Sequence, residues 1–351
     1  MKIVEEDNGK ALFSENYNYI FRKNDGFFMR WGKTTKEDPQ FSPFGPEIAD
    51  IEIVSGGNCL GKCSFCYKCN NITSPKKIMS FEQFKNIFHL LPRTLVQIAF
   101  GITNISANPD FFKIMEYAKN NGVIPNYTTH GLDITNEVAE KTSKLCGAVA
   151  VSIVNKEKSY DAIKKFTDFD MKQVNCHYLL SEETYDEAFN IINDISTDPR
   201  LEKFNAIVFL QYKDKNPYSN YHSLLSVQKY TKLINCCDEK NINYGFDSCS
   251  ANIFIESIKN KDNRIQLEQC VDSCESMRMS IYVNCSGEVF PCSFCEGVKE
   301  WENGIMLLDS TNFLENIWNN DRVIKWRDDL IKTMKNGCAY CPIYDLSMEK
   351  I

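Results

Sequence analysis

The sequence predicts an α/β protein: a partial (β/α)6-type TIM barrel followed by a small cysteine-rich C-terminal domain. Three observations predict it. From residue 51 to about 250, short apolar runs alternate with amphipathic stretches, the pattern of consecutive βαβ units and a parallel sheet. Near residue 263 that alternation stops and cysteines become dense. Four of the 16 cysteines also crowd into residues 59–69, directly after the first apolar run of the series.

The elements follow in order. Residues 1–50 read as an N-terminal β-hairpin lead-in: strand-like runs at 17–21 and 26–31 flank Asn24-Asp25-Gly26, a hairpin turn signal. Residues 51–262 form the barrel, with strands expected near 51–55, 95–100, 123–128, 148–153, 173–179, 205–211 and 242–247. Helices are expected near 80–90, 110–120, 134–145, 157–168, 182–195 and 222–240. Residues 263–351 form the cysteine-rich domain, with a tight hairpin around Ser286-Gly287 and helical stretches at 311–318 and 321–335. In barrels of this kind chemistry sits at the C-terminal ends of the strands, and the first cysteine loop leaves the first strand there.

Composition narrows the class. With 43% hydrophobic and 25% charged residues the chain reads as soluble and globular. A net charge of −7 argues against a nucleic-acid partner. The N-terminus lacks the apolar core of a signal peptide and no long apolar run offers a membrane span, so a cytoplasmic location is expected. Disulfides are rare in that compartment, so so many cysteines point to metal binding. Seven lie at 270, 274, 285, 292, 295, 338 and 341. Five more (Cys146, Cys176, Cys236, Cys237, Cys249) are scattered, and most of these suit small buried hydrophobes.

Cys59, Cys63 and Cys66 stand at C-x3-C-x2-C spacing. An iron–sulfur cube normally takes four cysteine thiolates, so three ligands leave one iron open for chemistry. Cys69, at a further x2 interval, either fills that iron or is a bystander; the surroundings favour the open iron.

The first strand, this loop with aromatic Phe65 before its last cysteine, and the βα repeats resemble the radical S-adenosylmethionine (SAM) superfamily. The resemblance implies that Cys59, Cys63 and Cys66 hold a [4Fe–4S] cluster whose open iron binds SAM. Reductive cleavage of SAM to a 5′-deoxyadenosyl radical then allows C–H hydrogen abstraction. It places Phe65 near the adenine. The family's Gly-Gly-Glu-Pro after the second strand is only partly matched here: Gly101 remains, the acidic residue is missing, and Thr103 and Asn104 offer alternative contacts. Thr128 and Thr129 end the third strand and Ser152 the fourth, where the family contacts SAM; each could equally cap or pack.

Cys274, then Gly287 and Cys292, resembles the opening of the auxiliary-cluster extensions called SPASM and twitch. Cys338-Ala-Tyr-Cys341 resembles the C-x2-C close of the shorter twitch form. The resemblance implies one auxiliary [4Fe–4S] cluster held by Cys274, Cys292, Cys338 and Cys341, with a four-cysteine zinc site as the alternative. Cys270, Cys285 and Cys295 are near enough in sequence to substitute, and an incomplete second auxiliary cluster stays open.

For substrate chemistry, His177 lies in a strand that could aim it into the barrel, while Lys213, Asp247 and Cys249 follow strand ends. Lys213 or Asp247 could orient substrate or move a proton, and Cys249 could donate a hydrogen atom. Against these stand a packed histidine, a solvated charge and a buried thiol. The leading expectation is a radical SAM enzyme modifying a ribosomal peptide by crosslinking or epimerisation, reduced by a flavodoxin or ferredoxin. The alternatives are oxidation or rearrangement of a small molecule, as by an aminocyclitol dehydrogenase, and a metal-stapled scaffold without activity. The lead-in looks short for a winged-helix leader-binding domain, which weighs against a peptide without excluding one.

Overall fold

A computed structural model describes residues 1–70, 75–334 and 340–348. Its centre is one large sheet of parallel strands. β5 (Ile48–Glu52), β8 (Gln97–Gly101), β9 (Ile124–Thr129), β10 (Val149–Ser152), β11 (Val174–Leu180), β12 (Ala206–Gln211) and β13 (Tyr244–Phe246) pair side by side in chain order, all parallel. Between them run α1 (Phe81–Leu90), α2 (Phe111–Asn120), α3 (Asn136–Leu145), α4 (Lys156–Asp168), α5 (Tyr185–Thr197) and α6 (Val227–Glu239). The open, strand-to-neighbour order is that of an incomplete barrel.

Period-two alternation explains why these strands carry polar residues. On β11, Val174, Cys176, Tyr178 and Leu180 are buried, while the intervening Asn175, His177 and Leu179 are partly open. The buried set packs under the helices and the other set faces the barrel interior. β5 shows the same: Ala49 and Ile51 are fully buried, whereas Asp50 between them is exposed. The helices start where local chemistry predicts. Ser80 caps α1 in a reciprocal capping box with Gln83, an arrangement worth about 1 kcal/mol.

The lead-in is larger than one hairpin. β1 (Lys2–Glu6), β2 (Gly9–Phe13), β3 (Asn18–Arg22) and β4 (Phe28–Trp31) form a four-stranded antiparallel sheet. The expected turn does join β3 to β4. The Lys10 ammonium donates to the Leu95 carbonyl at 2.9 Å and the Tyr19 hydroxyl to the Thr94 carbonyl at 2.8 Å, so this sheet seats at the N-terminal end of the barrel strands. Arg30 adds ion pairs to Glu47 and Glu275. The polar mate of each buried group lay too far along the chain to be seen locally.

The C-terminal segment does not stand apart from the barrel. β14 (Ser280–Val283) pairs parallel with β5 on its free edge, and β15 (Glu288–Phe290) and β16 (Ile305–Met306) extend the sheet antiparallel. Gly287, at φ +85°, makes the expected tight turn between β14 and β15. A short ribbon of β6 (Val54–Ser55) and β7 (Lys77–Ile78) follows β5. α7 (Ala251–Ser257), α8 (Arg264–Glu268) and α9 (Asp321–Thr333) complete the chain, and the stretch Phe313–Trp318 is a π-helical turn rather than an α-helix. Among the described residues no helix is long and apolar enough to cross a membrane.

Candidate active site and auxiliary cysteine site

All the barrel loops of interest leave one rim, the C-terminal ends of the strands. The cysteine loop after β5 and β6 is tightly wound: Gly56, Gly57, Asn58, Lys62 and Cys69 all have positive φ. Gly61 is where the loop closes, since a Cβ there would lie 3.5 Å from the Cys59 sulfur and 3.4 Å from that of Cys63. Backbone bonds from Cys66 N to Cys63 O at 3.2 Å and from Cys69 N to Cys66 O at 3.0 Å continue the coil. The predicted ligands Cys59, Cys63 and Cys66 are thus brought together.

Burial first, and then the neighbouring Cys66 and Cys59, push the Cys63 thiol up to about 12. Burial first, and then Cys66 and Asp133, raise Cys59, while the Gly61 and Lys62 N–H groups oppose. Thiols crowded together on one buried loop are a set suited to a bound cation. Among the described residues no three donors converge as ligands of a single ion; a cube does not ask for that, because its thiolates bind separate irons. The Thr103 hydroxyl is buried without a hydrogen-bond partner, beside the Cys59 thiol, which reaches the Thr103 carbonyl at 3.8 Å. An orphaned hydroxyl next to three clustered thiols fits a cluster with a polar ligand on its open iron.

Asn104 fixes the loop. Its side-chain oxygen accepts from Leu60 N at 3.0 Å and meets His130 Nε2 at 2.8 Å. Leu132 N donates to His130 Nδ1 at 3.0 Å, so the proton sits on Nε2 and that nitrogen donates to Asn104. Burial lowers the imidazole's pKa, with Asp133 opposing. Gly101 lies opposite Glu52, whose Cα a side chain at 101 would approach within 3.3 Å. Phe65 is half-buried and packs edge-on against Tyr221.

The two threonines ending β9 point to different places. Thr128 is exposed toward the interior, while Thr129 is buried and its hydroxyl accepts from Gly131 N at 3.1 Å, a turn-capping position. Ser152 stands in register with His177 across β10 and β11. Burial lowers the His177 pKa to about 4, with Asp247 opposing. Asp50 was not foreseen. It is open to the interior but ringed by protein, so desolvation first and Glu275 second raise it to about 6. An acid between the apolar Ala49 and Ile51 of a strand is the signal that marks such a position.

The second site is a cavity bringing Cys274, Cys292 and Cys341 together with Cys295. Cys338 lies outside the described residues. Burial and then Cys292 push Cys274 up to about 11, and the Cys292 and Cys295 sulfurs are 3.4 Å apart. Cys285 is elsewhere, with its thiol toward the Lys77 carbonyl, and Cys270 is exposed. Lys213 and Cys249 line the same cavity, so two residues expected to serve substrate chemistry stand beside the auxiliary cysteines. Asp247 pairs with Lys213 at 3.0 Å.

The two cysteine sites are stitched together by residues that sequence reading missed. Tyr67 stacks on Phe294 with centroids 4.1 Å apart, and its hydroxyl donates to Ser293 at 3.1 Å. Lys68, buried beside Tyr282, pairs with Glu52 at 3.3 Å and with Glu296. Lys215 donates to the Ser293 and Glu296 carbonyls, and Asn216 to the Ser64 and Cys66 carbonyls.

Comparison with known proteins agrees with this geometry. Residues 274–342 match the model of the SPASM iron–sulfur cluster-binding domain. A sequence comparison with curated proteins finds no match. Among solved structures, Streptococcus suis SuiB bound to its precursor peptide SuiA superposes with a TM-score of 0.67 at 11% identity, covering 98% of this chain and 100% of that one. SuiB bound to S-adenosylmethionine gives 0.65 at 11%, covering 86% and 78%. The protein anSMEcpe with bound AdoMet gives 0.57 at 17%, covering 80% and 79%. The chain therefore has the fold of SuiB and anSMEcpe, and residues 274–342 match the SPASM iron–sulfur cluster-binding domain.

Proposed function

We propose that this chain is a radical SAM enzyme with an auxiliary cluster, and that its substrate is a ribosomal peptide. The observation that carries the reading is the placement of Cys59, Cys63 and Cys66 on one coiled loop at the C-terminal rim of a parallel barrel, against the SPASM segment. In the proposal these three thiolates hold a [4Fe–4S] cluster, and Cys274, Cys292 and Cys341 provide three of the four thiolates for a second. SAM bound at the open iron supplies, on one-electron reduction by a flavodoxin or ferredoxin, a radical able to abstract hydrogen from carbon.

The protein's own residues do the positioning. Asn104 and His130 hold the cysteine loop in place. In the proposal the orphaned Thr103 hydroxyl, Gly101, Phe65, Thr128 and Ser152 would contact SAM, and Thr129 braces the turn after β9. His177 and Asp50 face the barrel interior where a substrate side chain would enter. The peptide substrate is supported by SuiB's binding of SuiA and by a structure of anSMEcpe with the Cp18Cys peptide. A cytoplasmic location belongs to the same proposal.

Anaerobic reconstitution followed by reduction with SAM present tests the activity. About eight irons per chain and release of 5′-deoxyadenosine are expected, the latter abolished by Cys63→Ala. A fully loaded protein that releases none sinks the enzyme reading. Incubation with short peptides encoded beside the gene, read by mass spectrometry, tests the substrate; unchanged peptides alongside a modified small molecule would reject that part.

A further inference from the structure

The cavity of the second cysteine site has Cys274, Cys292, Cys295 and Cys341 of the SPASM segment in its lining, together with Lys213 and Cys249 from the barrel. Cys249 sits in the turn Ser248–Ser250 after β13. Asp247 clamps that turn, accepting from Gln211 N at 3.2 Å and from the Ser250 hydroxyl at 2.8 Å. The Lys213 ammonium is almost fully buried, at 4% exposure. It donates to the Gln211 carbonyl at 2.8 Å and to Asp247 at 3.0 Å, and it lies 4.3 Å from the Phe294 ring centroid. Cys249 lines the same cavity as this ammonium. Cys249 in turn feels Cys274 and Cys292 electrostatically. Cys270 and Cys285, the other spare thiols of the C-terminal segment, do not line this cavity.

We propose that Cys249, which lies outside the matched SPASM segment, is a ligand given to the auxiliary cluster by the barrel, and that Lys213 is the buried cation that holds its thiolate there. A cube carries four thiolates and needs them ionised. Burying several such charges costs much unless a cation or donor meets them. Lys213 is a cation with no other acceptor to satisfy, since its two remaining donors already have partners. A positive charge and an N–H···S hydrogen bond both favour the reduced cluster, so Lys213 also raises its potential. The thiol thereby leaves the list of candidate hydrogen-atom donors.

This rests on the two-cluster reading, so the test separates the two. The wild-type chain, reconstituted anaerobically, is compared with Cys249→Ala, Cys249→Ser and Cys285→Ala by iron content and by electron paramagnetic resonance of the reduced protein. The expected result is loss of the auxiliary signal, or its conversion to a three-iron signal, in Cys249→Ala. Cys285→Ala keeps it, and the first cluster still responds to added SAM in both. Cys249→Ser is expected to retain iron with an altered spectrum, which guards against a merely misfolded alanine variant. Lys213→Gln is expected to keep full iron while disfavouring reduction at least tenfold, about 59 mV for one electron. Unchanged iron and spectra in Cys249→Ala, with loss in Cys338→Ala, would overturn the assignment. An unshifted potential in Lys213→Gln would overturn the role of the cation. A wild type holding only about four irons would overturn the two-cluster reading itself.

Discussion

His177 and Asp50 face the same barrel interior, and the two residues respond to acid in opposite directions. His177 has a folded pKa of about 4, below the ordinary ~6.5 of the unfolded chain. Its contribution to stability is complete above ~6.5 and is lost as pH falls from there toward 4, by up to about 3 kcal/mol. Asp50 has a folded pKa of about 6, above the ordinary ~3.9. Its contribution is complete below ~3.9 and is lost as pH rises toward 6, by less than that of His177 because solvent reaching the exposed Asp50 side chain screens it. Over the same window the two offset each other in the wild type. His177→Asn removes one of them, so its stability relative to wild type should rise steadily as pH falls from 6.5 to 4. Urea midpoints at four pH values would show this, and a constant difference would count against the burial of the neutral imidazole. The strand alternation that aims His177 inward was legible in the sequence. Its burial was not, because the walls around it come from other strands.

At the scale of elements, the cysteine loop and the SPASM loop Ser293–Glu296 act as one unit. Lys68 sits between Glu52 at the end of β5 and Glu296, with all three largely withdrawn from water. Removing one partner of a buried ion pair leaves an uncompensated charge, and the penalty is about 3–5 kcal/mol. Lys68→Met is therefore expected to lower global stability by about 3 kcal/mol, since Glu296 keeps some solvent contact. It should also reduce iron loading at the first site. The double variant Lys68→Met with Glu52→Gln should recover part of both losses, because the stranded charge is gone. Additive losses in equilibrium unfolding would show that the three groups do not interact. Neither the Tyr67–Phe294 stack nor this ion pair could be read from spacing, since their partners are more than 200 residues apart.

For the molecule as a whole, the decisive fact is that the C-terminal segment completes the sheet. β14 covers the edge of β5, whose buried Ala49 and Ile51 lie in the central core. A chain cut after residue 262 would leave that edge unpaired, and an open apolar edge is a template for association. Such a truncated chain is expected to elute as oligomers or to aggregate, whereas the full chain does not. A monomeric, cooperatively unfolding fragment on size-exclusion chromatography and in thermal melts would contradict this. The expectation of a barrel with a small appended domain held for the class of fold. It missed this continuity because the four residues of β14 look like any short hairpin strand until β5 is beside them.

What the sequence determined by itself are the features written locally: βα alternation, the coiled spacing of Cys59, Cys63 and Cys66, and the glycine turn between Cys274 and Cys292. Each depends on neighbours a few residues away, through backbone periodicity and turn geometry. The tertiary structure alone decided which distant groups share a cavity. Lys213, Asp247 and Cys249 all end strands, and nothing in their own segments says whether the rim there opens to substrate or to the auxiliary cysteines. That depends on where the C-terminal segment folds back, and it folds back along β5, where β14 pairs parallel with it.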